Sequence, residues 1–276
     1  MKEQLMTWIN FAGQAVLSNS GWMTWNLFLA LVPLALSFWL FQKPRSRSLF
    51  WGTLILLGAT LLPNGRYIRL FLTRLLSISN TGKIYILGAL TITLLLMGLD
   101  FWAKRRNKSR TLLWWLGFLV FVAFLPNAPY VLTDIIHLID DIRQGYSVWV
   151  ITLALFPSYM LFMVLGFQAY VLSLMYLGDY MKRQGWSQFI LGTETVFHGL
   201  TAIGIYLGRF QRFNSWDIIT KPDVLVHSVM NDLIGKLPVL VMVITFVTIA
   251  VLYWGAKWIN VALRDRFEYK NPQVLA

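Results

Sequence analysis

The chain has 276 residues, of which 57% are hydrophobic and only 13% charged, and its mean hydropathy is +0.61. So little polar surface cannot cover a globule of this length, which excludes a soluble domain and calls for lipid around the chain. The net charge of +12 sits between apolar segments, where basic residues orient spans rather than bind nucleic acid, and the absence of cysteine removes disulfide, iron–sulfur and thiol chemistry.

The apolar stretches are long and continuous rather than alternating, so they predict an all-α, polytopic transmembrane helix bundle and not a barrel. Residues 1–21 carry Leu5, Trp8, Ile9, Ala12 and Val16 at helical spacing, which fits a short interfacial helix. Seven spans come next within a membrane domain at 22–260: residues 22–41, 49–63, 84–102, 111–126, 148–177, 189–207 and 237–259. The second and fourth are shorter than the roughly 20 residues a bilayer core requires, so their chain is expected to continue past the closing proline. Pro157 predicts a kink or strong tilt in the fifth. Residues 261–276 form a tail.

The two short spans close in the same way. Leu62-Pro63-Asn64 and Leu125-Pro126-Asn127 stand 63 residues apart, and at that offset Tyr67 falls on Tyr130, Phe38-Trp39 on Phe101-Trp102, and Trp51 on Trp114. This spacing describes a tandem two-helix repeat with units at about 22–76 and 84–139. Two spans per unit return the chain to the same side, so the copies are expected to run parallel. The segments after the two Pro-Asn motifs carry opposite charge. Arg66, Arg69, Thr73 and Ser77 give the first copy a basic stripe, whereas Thr133, Asp134, His137, Asp140 and Asp141 give the second an acidic one.

Orientation can be read from the short loops. Lys43, Arg45 and Arg47, then Lys104, Arg105, Arg106, Lys108 and Arg110, then Lys182 and Arg183, and finally Lys257, Arg264, Arg266 and Lys270 all fall on one side. By the positive-inside rule that side is cytoplasmic, which predicts a plasma-membrane protein with its N-terminus outside and its C-terminus inside. The Pro-Asn motifs then open on the outer face.

Candidate site residues gather there. Asp134 and His137, three apart on one helical face, have the spacing of an acid/base pair or of two metal ligands, and equally that of a structural pair. Asn64 and Asn127 are placed to satisfy backbone groups freed by the prolines. Arg66, Tyr130, Arg209, Arg212, Asn214 and Asp217 complete a set suited to an anionic ligand. Gly204 and Gly208 form a small-xxx-small face that lets another helix approach closely. Within the sixth span Glu194 and His198 make an intramembrane polar pair, which is expensive unless it faces protein or water. The second histidine and third ligand of a zinc site are missing, and no nucleotide-binding, flavin or serine-hydrolase motif appears, so no metal or cofactor is expected.

The strings Trp25-Asn26-Leu27-Phe28-Leu29-Ala30, residues 124–138 from Phe124 through Leu125-Pro126-Asn127-Ala128-Pro129-Tyr130 to Leu138, and Gly204 to Phe210 with Asn214-Ser215-Trp216-Asp217 resemble the prokaryotic integral-membrane family catalogued as domain of unknown function 1361. The resemblance extends from about Trp22 to the last span and implies a multi-pass membrane protein without implying a particular reaction. The residues themselves favour outer-face binding or processing of an anionic or lipid-linked ligand, with the bilayer as partner. The alternatives are a transporter or channel using the proline-broken helices, and a structural or assembly subunit.

Overall fold

The structure, a computed structural model, describes residues 2–42, 47–66, 69, 95, 110–213, 222–232 and 235–270. It is about 91% helical, with no strand among the described residues, and forms the expected all-α bundle. The long helices are α1 (Lys2–Leu40), α2 (Arg47–Leu61), α3 (Leu112–Phe124), α4 (Ile135–Arg143), α5 (Phe156–Arg183), α6 (Ile190–Arg209), α7 (Pro222–Asp232) and α8 (Lys236–Lys270). Helix α1 is the hub on which α2, α3 and α5 pack, while α6 and α8 form a pair that meets α5. Phe41, Phe121, Leu125, Leu155, Tyr159, Tyr170 and Leu174 are fully buried where these elements meet.

Five stretches are long and apolar enough to cross a membrane: Met6–Leu40, Leu112–Arg143, Val148–Arg183, Ser187–Arg209 and Lys236–Arg266. The shorter apolar helix Trp51–Leu61 answers to the second expected span, and the third, at 84–102, lies outside the described residues. The first helix of the second repeat unit therefore lies outside them as well.

One boundary differs from the sequence reading. No break separates residues 1–21 from the first span, because α1 runs unbroken from Lys2 to Leu40. At 1.5 Å per residue such a helix is about 58 Å long, nearly twice a bilayer core of roughly 30 Å. The fourth span continues past Pro126, as its shortness predicts. A short helical turn, Asn127–Tyr130, a 3-10 turn, Val131–Asp134, and then α4 carry the chain onward as one interrupted rod.

The rod survives its prolines because the backbone beyond Pro126 rebonds locally. Ala128 N–H turns to the Leu125 carbonyl (3.2 Å), and the Asn127 amide donates to the Phe124 carbonyl that this leaves over (3.0 Å). Asn64 does the equivalent after Pro63, donating to the Thr60 carbonyl at 2.7 Å and to Thr24 Oγ1 at 3.0 Å. At Pro157 the helix widens into a π turn, Ile151–Leu155, immediately before the proline, which accommodates the ring where a kink was expected.

Helix α5 crosses the interrupted rod at Gly166, where an added Cβ would lie 2.6 Å from Val131 Cγ2 and 3.0 Å from its Cγ1. Valine has little rotamer freedom with which to withdraw. The variant Gly166→Ala should therefore lose about 1–3 kcal/mol of stability by overpacking. In contrast Gly58→Ala, where nothing lies within 4 Å, should be neutral or gain about 0.5–1 kcal/mol from helix propensity. Thermal unfolding of the purified variants in detergent measures both.

Candidate functional site

The interrupted rod runs antiparallel along the first half of α1, and three polar or aromatic pairs join them in order. Asn19 donates to Asp141 Oδ2 at 2.7 Å, the Trp22 and His137 rings lie 4.7 Å apart, and Asn26 donates to Asp134 Oδ2 at 2.9 Å. The spacing explains the fit, since positions 19, 22 and 26 share one helical face and so do 134, 137 and 141. Asp141 also accepts from Tyr159 OH at 3.0 Å on α5.

Asp134 is the centre of this arrangement. It is 1% exposed, and its second oxygen, Oδ1, is ion-paired with the Arg209 guanidinium from the end of α6. Arg209 is held by more than that carboxylate. Its Nε and Nη2 both donate to Thr133 Oγ1, at 3.0 and 2.7 Å, and the guanidinium lies 4.8 Å over the Tyr130 ring. Thr133 in turn donates to the Tyr130 carbonyl at 2.7 Å, fixing the oxygen that receives Arg209.

Helix α6 reaches the rod because two glycines face it. A Cβ on Gly204 would stand 2.9 Å from Pro126 Cβ, and one on Gly208 would stand 3.0 Å from Tyr130 Cε2. The small-xxx-small face read from the sequence is thus the surface by which α6 approaches the Pro-Asn break. Past Arg209 the chain turns at Arg212, an exposed residue with φ of 57°, so that Phe213 N–H donates back to the Leu207 carbonyl at 3.0 Å. A non-glycine residue adopts that left-handed conformation only when its neighbours hold it.

Arg209, Asp134, Tyr130 and the Pro126-Asn127 break are therefore brought together. His137 lies against Trp22 with the rings tilted at 47°, and Asn127 donates to the Phe124 carbonyl. Asn64 is bound to Thr24, two residues from Asn26, and Arg66 beyond it is exposed. Asn214 and Asp217 lie outside the described residues. Asn26 received no role in the sequence reading, because a single asparagine in an apolar helix has no periodic partner to betray it.

Glu194 and His198 belong to a different part of the molecule. Both precede Arg209 on α6, and Glu194 is about 22 Å along the helix from the guanidinium at 1.5 Å per residue. Glu194 is 3% exposed, and its Oε1 accepts from Tyr253 OH at 2.7 Å and from Lys257 Nζ at 2.6 Å, both on α8. His198 Nδ1 is 2.7 Å from Tyr170 OH on α5. Lys257, assigned by sequence to the basic loops that set orientation, is instead a counter-ion for a buried carboxylate. The four-residue spacing of Tyr253 and Lys257 was the available signal. Among the described residues no group of three or more His, Cys, Asp or Glu side chains is placed to hold a metal ion.

Comparison with known families supplies one match. The family described as "Protein of unknown function (DUF1361)" matches residues 85–251, more than half of the chain. The chain belongs to this family. The match takes in the interrupted rod, α5, α6 and the first half of α8, and begins later than the resemblance at Trp22 suggested, so α1 with Asn26 lies outside it. No curated protein and no solved structure matches.

The pairing of Asp134 with Arg209 sets a clear expectation for stability. Truncating one partner leaves the other charge buried, so Asp134→Ala and Arg209→Ala should each cost on the order of 3–5 kcal/mol. The double variant should recover much of that loss, because both charges leave together. Melting temperatures of the four proteins in one detergent close the double-mutant cycle, and additive losses would show that the two side chains act independently.

Proposed function

We propose that this protein is a multi-pass plasma-membrane protein that binds an anionic lipid headgroup or a lipid-linked anion at the outer face, with the N-terminus outside and the C-terminus in the cytoplasm. The observation that carries the reading is the state of Arg209. Its guanidinium is fixed by Asp134, Thr133 and Tyr130, yet its side chain remains 19% exposed, and among the described residues its Nη1 makes no hydrogen bond. A preorganised guanidinium edge at the rim of an apolar bundle suits a phosphate or carboxylate oxygen through charge-assisted hydrogen bonds. Arg212, one turn on, and Arg66, beyond Asn64, add positive charge at the same end of the bundle.

Both Asp134 oxygens are already committed, Oδ1 to Arg209 and Oδ2 to Asn26. That commitment favours binding over general acid or base chemistry at Asp134, which needs an oxygen free to exchange a proton with substrate. His137, against Trp22, is better placed to pack than to join Asp134 in catalysis.

Binding can be measured through the fluorescence of the 13 tryptophans, with short-chain phosphatidylglycerol, short-chain phosphatidylcholine and inorganic phosphate as probes. Phosphatidylglycerol should bind and phosphatidylcholine should not, while inorganic phosphate separates a headgroup site from a site for the free anion. The paired variant Asp134→Asn with Arg209→Gln keeps the packing without a buried unpaired charge, and it should stay folded and lose binding. Unchanged phosphatidylglycerol affinity in that variant would remove Arg209 from the site.

Orientation is open to a separate test, since single cysteines can be introduced into this cysteine-free chain. A cysteine at Ser147 should react with an impermeant thiol reagent on intact cells, and one at Ser109 should react only after lysis. The opposite pattern would put Arg209 on the cytoplasmic face.

A further inference from the structure

Helices α5, α6 and α8 enclose a second polar centre that anion binding does not use. Glu194, His198, Tyr170, Tyr253 and Thr201 are all buried there, and Lys257, its side chain 23% exposed, closes one side with its ammonium 4.7 Å over the Trp254 ring. Every neighbour of consequence is accounted for: Tyr170 comes from α5, Thr201 from α6, and Tyr253 and Lys257 from α8. Two buried atoms nevertheless have no partner. They are Glu194 Oε2 and His198 Nε2, one helical turn apart on α6.

An orphaned buried carboxylate oxygen or ring nitrogen costs on the order of 1–3 kcal/mol, so two together call for a ligand. The residues define its chemistry. Lys257 already neutralises Glu194, which disfavours a second cation, and Glu194 disfavours an anion. A neutral molecule with hydrogen-bonding groups on both sides remains. The two orphaned atoms belong to side chains four residues apart on one face of α6, where one small molecule can meet both. Water has the size and the bonding capacity.

We propose that α5, α6 and α8 form a buried water-binding site in which one bound water links Glu194 Oε2 to His198 Nε2. Thr201 Oγ1 donates to Tyr170 OH at 3.5 Å and Tyr170 O–H donates to His198 Nδ1 at 2.7 Å, so the ring proton sits on Nε2 and Nε2–H donates to the water. The water donates in turn to Glu194 Oε2, while Glu194 Oε1 stays with Tyr253 and Lys257, so both orphaned atoms are satisfied without any change of charge.

The chain has three histidines, so labelling histidine nitrogen isotopically and recording solid-state NMR spectra of the full chain in lipid bilayers isolates this site, with His198→Gln supplying the assignment. The wild type should give a cross-peak between water protons and His198 Nε2. The double variant Glu194→Leu with Lys257→Met removes the carboxylate and its counter-ion together and should lose that cross-peak while melting as a folded protein. Asp134→Asn with Arg209→Gln, at the other end of α6, should retain it. A wild-type His198 without a water contact, or a contact that persists unchanged in the Glu194→Leu, Lys257→Met protein, overturns the proposal.

Discussion

The structure depends on what is done with one buried carboxylate. An ionised aspartate inside an apolar bundle loses several kcal/mol of hydration, and Asp134 at 1% exposure recovers that loss only through Arg209, Asn26 and the geometry around them. These partners come from separate elements, so satisfying the charge draws α1, the rod and α6 to one point. Gly204 and Gly208 make the approach sterically possible, and Thr133 and Tyr130 fix the guanidinium once it arrives. The apolar surfaces of these helices provide most of the contact area but leave their relative positions loosely specified.

Much of this was legible in the chain. Continuous apolar runs predicted helices, the prolines predicted where backbone bonding would be disturbed, and Asn64 and Asn127 bond the nearby Thr60 and Phe124 carbonyls there. The glycine pair was also readable from spacing, whereas Asp134 and Arg209 were linked only by the expectation that both lie at one end of the bundle. Contacts between residues far apart in sequence and ordinary in context escaped. Asn26 is a lone amide among apolar residues, and Lys257 looks like one more basic residue near the end of a span. Charge patterns report topology only when the charge is free, and the one local mark that Lys257 is neutralised is its four-residue spacing from Tyr253. The continuity of α1 was missed for a different reason. A break was placed at the edge of hydrophobicity, whereas backbone hydrogen bonding persists through it.

Helix α6 carries a charged centre near each end, and the two differ in kind. At Arg209 a guanidinium faces outward with bonding capacity to spare, and at Glu194 and His198 the spare capacity faces inward. The aromatic surroundings differ to match, with a single ring beneath Arg209 and the Tyr170, Tyr253 and His198 rings in contact around the inner centre. A helix built this way can serve two chemistries without either encroaching on the other.

The ladder along α1 has a further consequence. Lipid tails and leucine side chains are nearly equivalent as neighbours, so two apolar helices gain little from one longitudinal alignment over another. Asn19 with Asp141, Trp22 with His137 and Asn26 with Asp134 coincide in only one alignment, because their spacings of three and four residues run in opposite order on the two members of the pair. Sliding the rod by one turn would leave carboxylates facing apolar side chains. The ladder therefore works as a vernier: it selects a single longitudinal setting from many that apolar packing would accept, and it does so with three rungs.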